Sequence, residues 1–85
     1  MPRFEWAPRE ARENLRKHGV SFEEAVTAFS DDEALLRFVL LGLSGALRLL
    51  TVVHCYRVDD EVIRVISARR ATRSERVQYG ARWMK

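Results

Sequence analysis

Two arginines stand side by side where an apolar alternation stops, Arg69 and Arg70 in the stretch ISARRAT at 66–72. Each guanidinium is a fork of N–H donors that keeps its charge at neutral pH. Such a pair is either a solvated strand end or a grip on something anionic. Lys17 and His18, in RKHG at 16–19, put a cation beside a proton-transfer group at a predicted helix end. Positive charge there also complements the helix dipole. Trp6, Tyr79 and Trp83 are able to stack on bases or to anchor packing. His54, inside an apolar strand, reads as a hydrogen-bonded, half-buried histidine. Cys55 has no activating neighbour in sequence and reads as a small buried residue rather than a nucleophile.

The chain has no glycine-rich phosphate loop, no Cys/His cluster of zinc spacing and no carboxylate cluster of metal-site spacing. Phosphoryl chemistry run on Arg, Lys and His alone would need neither metal nor cofactor. RNA suits that chemistry, because its 2′-OH is an internal nucleophile needing only alignment, a base and charge stabilisation.

The net charge of +3 is unevenly spread. Five basic residues face three acidic ones in 1–20, one faces five in 21–40, and nine face four in 41–85. Residues 69–85 alone hold six basic groups against Glu75. A basic end fits a polyanion, an acidic protein partner or an ordinary solvated helix face. Eighty-five residues at 47% hydrophobic, with one cysteine, are expected to form one small domain over 1–85 that holds by packing alone. No apolar run is of bilayer length and the start lacks the apolar stretch of a signal peptide, so the expected location is the cytoplasm, away from membranes.

The elements that would position these groups follow from local signals. FEW at 4–6 is a short edge strand. Pro8 opens a helix in which Ala11 and Leu15 share a face, and Gly19 ends it. Its N-cap position holds Ala7, which accepts no side-chain hydrogen bond for Glu10 to complement. Ser21 and Glu24 form a capping box for a helix carrying Phe22, Ala25, Val26 and Phe29. Residues 35–41, 47–56 and 61–68 read as strands of an antiparallel meander, with GLSG (42–45) and RVDD (57–60) as turns. Thr72 and Glu75 make a further capping box, opening a basic helix expected to run to about residue 83. The fold class is α+β, in the order β-α-α-β-β-β-α, with helices packed on an antiparallel sheet. Straight alternation would put Arg48, His54 and Arg64 on one sheet surface if the register allows.

FEW, NLRKHGVSFEEA at 14–25, LLGLSG at 40–45 and IRVISARRATRSE at 63–75 resemble the BrnT family, the ribonuclease toxins of type II toxin–antitoxin modules whose antitoxin is BrnA. The resemblance covers nearly the whole chain. It implies a RelE-like fold, RNA cleavage that inhibits translation and growth, and neutralisation by a BrnA-type antitoxin, through which alone operator DNA is reached. The resemblance favours a functional use of Lys17, His18, Arg69 and Arg70 without assigning their roles. From their chemistry His18, Arg69 and Arg70 are the expected catalytic set. Because successive strand residues point to opposite faces, one arginine is expected to act on phosphate and the other to pin the sheet to a helix. Lys17, Arg48, Arg64 and Tyr79 are the expected RNA-binding residues. Two departures stand out: Ala7 follows Trp6 where the family usually has aspartate, and DDEALLRF is short where the family usually carries a longer acidic segment. A silent homologue that only binds antitoxin and its operator complex is the alternative reading. A RelE-fold toxin aimed at a protein, as in gyrase-poisoning relatives, is the third.

Overall fold

The chain is described by a computed structural model over residues 3–31, 34, 38–57 and 61–81. Strand β1 (Arg3–Glu5) leads into α1 (Pro8–His18), α2 (Phe22–Thr27) and a single 3-10 turn (Ala28–Ser30). Strands β2 (Val39–Leu43), β3 (Leu49–Arg57) and β4 (Val62–Arg70) then precede α3 (Arg73–Gly80). The α+β order expected from the sequence is the one observed. The expected strand start at 35–37, the turn at 58–60, the helix end near 83 and Trp83 lie outside the described residues.

The sheet order is β1-β4-β3-β2. β2, β3 and β4 form the expected antiparallel meander, and β1 extends it by running parallel to β4. The sheet is therefore mixed. β1 covers only Val62–Arg64 of β4, which leaves the rest of that strand edge to be satisfied otherwise.

Asn14 does so. Its Oδ1 accepts the Ala68 N–H at 3.0 Å, while its Nδ2 donates to the Ala68 carbonyl at 2.7 Å and to the Val20 carbonyl at 2.9 Å. A carboxamide carries the same donor and acceptor as a peptide unit, so it stands in for a missing strand partner. Asn14 is buried and Leu15 half exposed, so the face expected to be shared by Ala11 and Leu15 divides: Ala11 packs against the core and Leu15 does not.

The core lies under α1 and α2, where Val20, Phe22, Ala25 and Ala28 meet Leu40, Leu50, Val52, Val65 and Ala68. His54 is fully buried in the same layer, its ring edge-on to Phe29 at 4.8 Å. α3 lies on the other sheet face, tied to Thr51 and Arg69. Between Val53–Ser67 and His54–Val65 the ladder slips by one residue, leaving Ile66 as a bulge. The bulge turns residues 67–70 over relative to a straight strand. Arg64 therefore pairs beside Cys55, on the face opposite His54, and the single surface expected for Arg48, His54 and Arg64 does not form.

Candidate functional site

α1 ends where its sequence says it should. Gly19 takes φ 67 and donates its N–H to the Leu15 carbonyl, with Arg16, Lys17 and His18 in the last turn. Lys17 and His18 are exposed and line a depression of about 310 Å³ with Arg9, Glu13, Ile66 and Ser67. The bulged Ile66 forms part of its floor.

Arg48 joins this corner to the next helix. Its Nη2 donates to the Gly19 carbonyl at 3.1 Å, and its Nε donates to Glu24 Oε2 at 2.9 Å, with a second N–H on Oε1 of the same carboxylate. Glu24 also accepts the Ser44 hydroxyl at 2.7 Å. The Arg48 guanidinium, assisted by Ser44, holds the Glu24 carboxyl below the usual carboxylate range. The capping box expected at Ser21 is thus half made. Ser21 Oγ accepts the Glu24 N–H at 3.0 Å, while the glutamate side chain turns away to the arginine.

Arg69 and Arg70 part company. Arg69 faces α3 and forks onto Glu75, with Nη1–Oε1 at 2.8 Å and Nη2–Oε2 at 3.0 Å. Glu75 also accepts the Thr51 hydroxyl at 2.9 Å and the Thr72 N–H at 2.8 Å, closing a complete capping box. Four hydrogen bonds from three groups converge on that carboxylate and hold its pKa down to about 2, Arg69 contributing most. Arg70 lies opposite Leu50, on the α2 side, within electrostatic reach of Glu24. Among the described residues, no hydrogen bond or ion pair engages its guanidinium. It lines a depression of about 240 Å³ with Arg48, Arg76 and three leucines. Arg76 is a site residue that sequence reasoning missed, although its i, i+3 spacing from Arg73 on a basic helix was the available signal.

The remaining expected site residues are held elsewhere. Arg64 donates to Glu5 at 3.4 Å and lies 3.7 Å from Glu10. Tyr79 donates its hydroxyl to Asp31 at 2.6 Å, and Asp31 also accepts the Leu43 N–H at 2.7 Å. Trp6 packs edge-on against Phe22. The structure thus brings Arg48 and Arg70 together, gathers Lys17 and His18 in a second depression linked through Gly19, and leaves Arg64, Arg69 and Tyr79 apart from both. Among the described residues, no three His, Cys, Asp or Glu side chains gather as a metal site requires, and no helix is long and apolar enough to cross a membrane.

A family model described as the ribonuclease toxin, BrnT, of type II toxin–antitoxin system matches residues 6–75. The chain belongs to the BrnT family. The matched span contains Lys17, His18, Arg48, Arg64, Arg69 and Arg70 and stops short of Arg76 and Tyr79. The fold is similar to that of the Brucella abortus ribonuclease toxin BrnT, known from a crystal structure, with a TM-score of 0.61 over 86% of this chain and 100% of that one. Sequence identity is 22%, so this likeness speaks to the α+β fold alone. No curated protein matches the chain. Membership of the BrnT family makes this a ribonuclease toxin by kinship and implies an antitoxin as its partner.

Proposed function

We propose that the chain is a cytoplasmic endoribonuclease that cleaves RNA without a metal ion, across the corner where α1 ends. Arg70 stabilises the phosphate undergoing attack, Arg76 and Lys17 hold flanking phosphates, and His18 transfers protons. Arg48, committed to Glu24 and Gly19, positions the corner. In the reaction the 2′-oxygen bonds to the adjacent phosphorus, and its proton passes to the base. The P–O5′ bond breaks, the 5′-oxygen takes up a proton, and a 2′,3′-cyclic phosphate remains. Charge builds on the phosphorane oxygens in the transition state, where a fixed guanidinium gives more than it does in the ground state.

The contrast within the arginine pair carries this reading. Arg69 is forked onto Glu75, whereas Arg70 offers its donors to the surface beside Arg48 and Arg76. Arg69 is accordingly assigned to hold α3 on the sheet, and Arg64 and Tyr79 to hold local structure through Glu5 and Asp31. A BrnA-type antitoxin is the proposed partner. The second reading, a homologue that binds antitoxin without cutting RNA, is favoured by one observation: the guanidiniums of Arg48, Arg64 and Arg69 are all engaged by carboxylates.

Purified protein incubated with a defined RNA, with and without EDTA, separates these readings. Cleavage is expected to persist in EDTA and to leave cyclic or 3′-phosphate ends. Arg70→Ala and His18→Ala are each expected to lower cleavage by about 10²-fold or more without lowering the melting temperature. No cleavage of any RNA by the folded parent protein would favour the silent homologue. Loss in EDTA with rescue by magnesium would remove the proposed chemistry.

A further inference from the structure

Large apolar side chains are exposed unevenly on this molecule. Phe38, Val39 and Leu43 on and beside β2, Leu47 in the following turn and Val77 on α3 are all exposed, with Leu47 at 78%, Phe38 at 71% and Val77 at 67%. Alternation puts Val39 and Leu43 on one face of β2, together with Leu41 opposite Thr51, and that is the face on which α3 lies. Leu43 and Leu47 share a depression with Arg76, whereas Val77 lies on the side of α3 away from Glu75 and Tyr79, which reach the sheet and Asp31. Clustered apolar exposure of this kind marks an interaction surface.

Leu47 is displayed rather than tucked away. Its φ is 61, a left-handed conformation that such hairpin turns usually give to glycine. The turn is pinned on both sides. Ser44 Oγ accepts the N–H groups of Ala46 and Arg48, and the Gly45 N–H donates to Thr27 Oγ1 at 2.7 Å. A covering partner must bury these leucines and also put something beside Arg48, Arg70 and Arg76. Carboxylates meet that demand. RNA meets it less well, because the residues lining the depression are leucine and arginine, with no aromatic side chain for a base to stack on.

We propose that this corner seats an acidic amphipathic segment of the antitoxin, with apolar side chains on Leu43 and Leu47 and carboxylates on Arg70 and Arg76. The proposal rests on the role given to Arg70 above: a segment docked there occupies the guanidinium that a phosphate would need. Antitoxin and RNA then exclude one another at this corner, which is how neutralisation would work.

Calorimetric titration of the full chain with its cognate antitoxin tests the surface. Leu47→Gly suits the left-handed backbone, so its melting temperature should equal or exceed the parent's while the antitoxin Kd rises tenfold or more. Leu43→Ser should weaken binding in the same direction, and Leu15→Ser, on α1, should leave Kd unchanged. Unchanged affinity in folded Leu47→Gly and Leu43→Ser, or an equal loss in Leu15→Ser, overturns the proposal. A Leu47→Gly protein that keeps its antitoxin but loses RNA affinity makes the corner an RNA surface and overturns it too. If Arg70→Ala keeps full cleavage while Leu47→Gly loses antitoxin, the catalytic assignment falls and the docking surface stands. If Arg70→Ala loses cleavage while Leu47→Gly keeps its antitoxin, the docking surface falls and the catalytic assignment stands.

Discussion

The first and last helices begin with the same spacing, an N-cap position three residues before a glutamate, and are held in opposite ways. α3 is fastened at its start: Thr72 and Glu75 close a complete capping box, and the same carboxylate reaches Arg69 and Thr51 on the sheet. α1 starts on Ala7 with no side-chain cap at all and is fastened in mid-helix by the Asn14 carboxamide on Ala68. A charged anchor at a helix start sits near water and depends on pH. A neutral amide buried against an open strand edge does not. The difference teaches that capping and docking are separable tasks, merged in one helix and divided in the other.

The largest effect should come from the buried anchor. Asn14→Ala leaves the Ala68 N–H and two carbonyls without partners in a dry site, and is expected to cost about 3–4 kcal/mol, read as a lower urea midpoint. A loss below about 1 kcal/mol would mean that water replaces the amide there. Glu75→Ala removes the carboxylate shared by three groups at a partly exposed position and is expected to cost about 2 kcal/mol. Should it cost as much as Asn14→Ala, the two anchors are not different in kind.

Acid sharpens the contrast. The folded-state pKa of Glu75 is held at about 2 by Arg69, with Thr72 and Thr51 assisting, against an ordinary value of 4.5. The unfolded chain binds this proton first, so the contribution is fully present above pH 4.5 and fades as pH falls toward 2. After allowance for solvent screening at the partly exposed Arg69, about 1–2 kcal/mol is at stake. Melting temperatures taken across that window should fall less steeply in Glu75→Gln than in the parent. The smallest effect is a gain: Ala7→Asp supplies the missing acceptor to the first turn of α1 and should add about 1 kcal/mol. If urea midpoints do not move, solvent already satisfies that turn.

What was legible in the sequence was what short-range chemistry decides. Pro8, Gly19, Ser21 and Thr72 mark their helix boundaries because caps and stops act within a turn. The order of elements followed from the same signals. What was hidden depends on partners far along the chain. Nothing near Glu24 says that its carboxylate will leave its own cap for Arg48, and nothing near Asn14 announces an unpaired edge at Ala68. The parallel docking of β1 belongs to the same class. In the candidate site, Lys17, His18 and Arg70 were readable as exposed cations and a histidine at element ends. Strand alternation also says that one of Arg69 and Arg70 pins the sheet to a helix while the other faces outward; which does which was not readable, because strand pairing sets it.

That division traces to one residue. Ile66 acts on β4 as a frameshift acts on a reading frame: every residue after it is read out on the other side. Had the ladder run straight through it, Arg69 would have emerged beside α2 and Arg70 beneath α3, and the two would have exchanged employment. An arginine pair aligned between two relatives is therefore an ambiguous landmark. Where a relative keeps the pair but lacks the extra residue in the ladder, its working guanidinium should be sought one position earlier, and its helix anchor one position later.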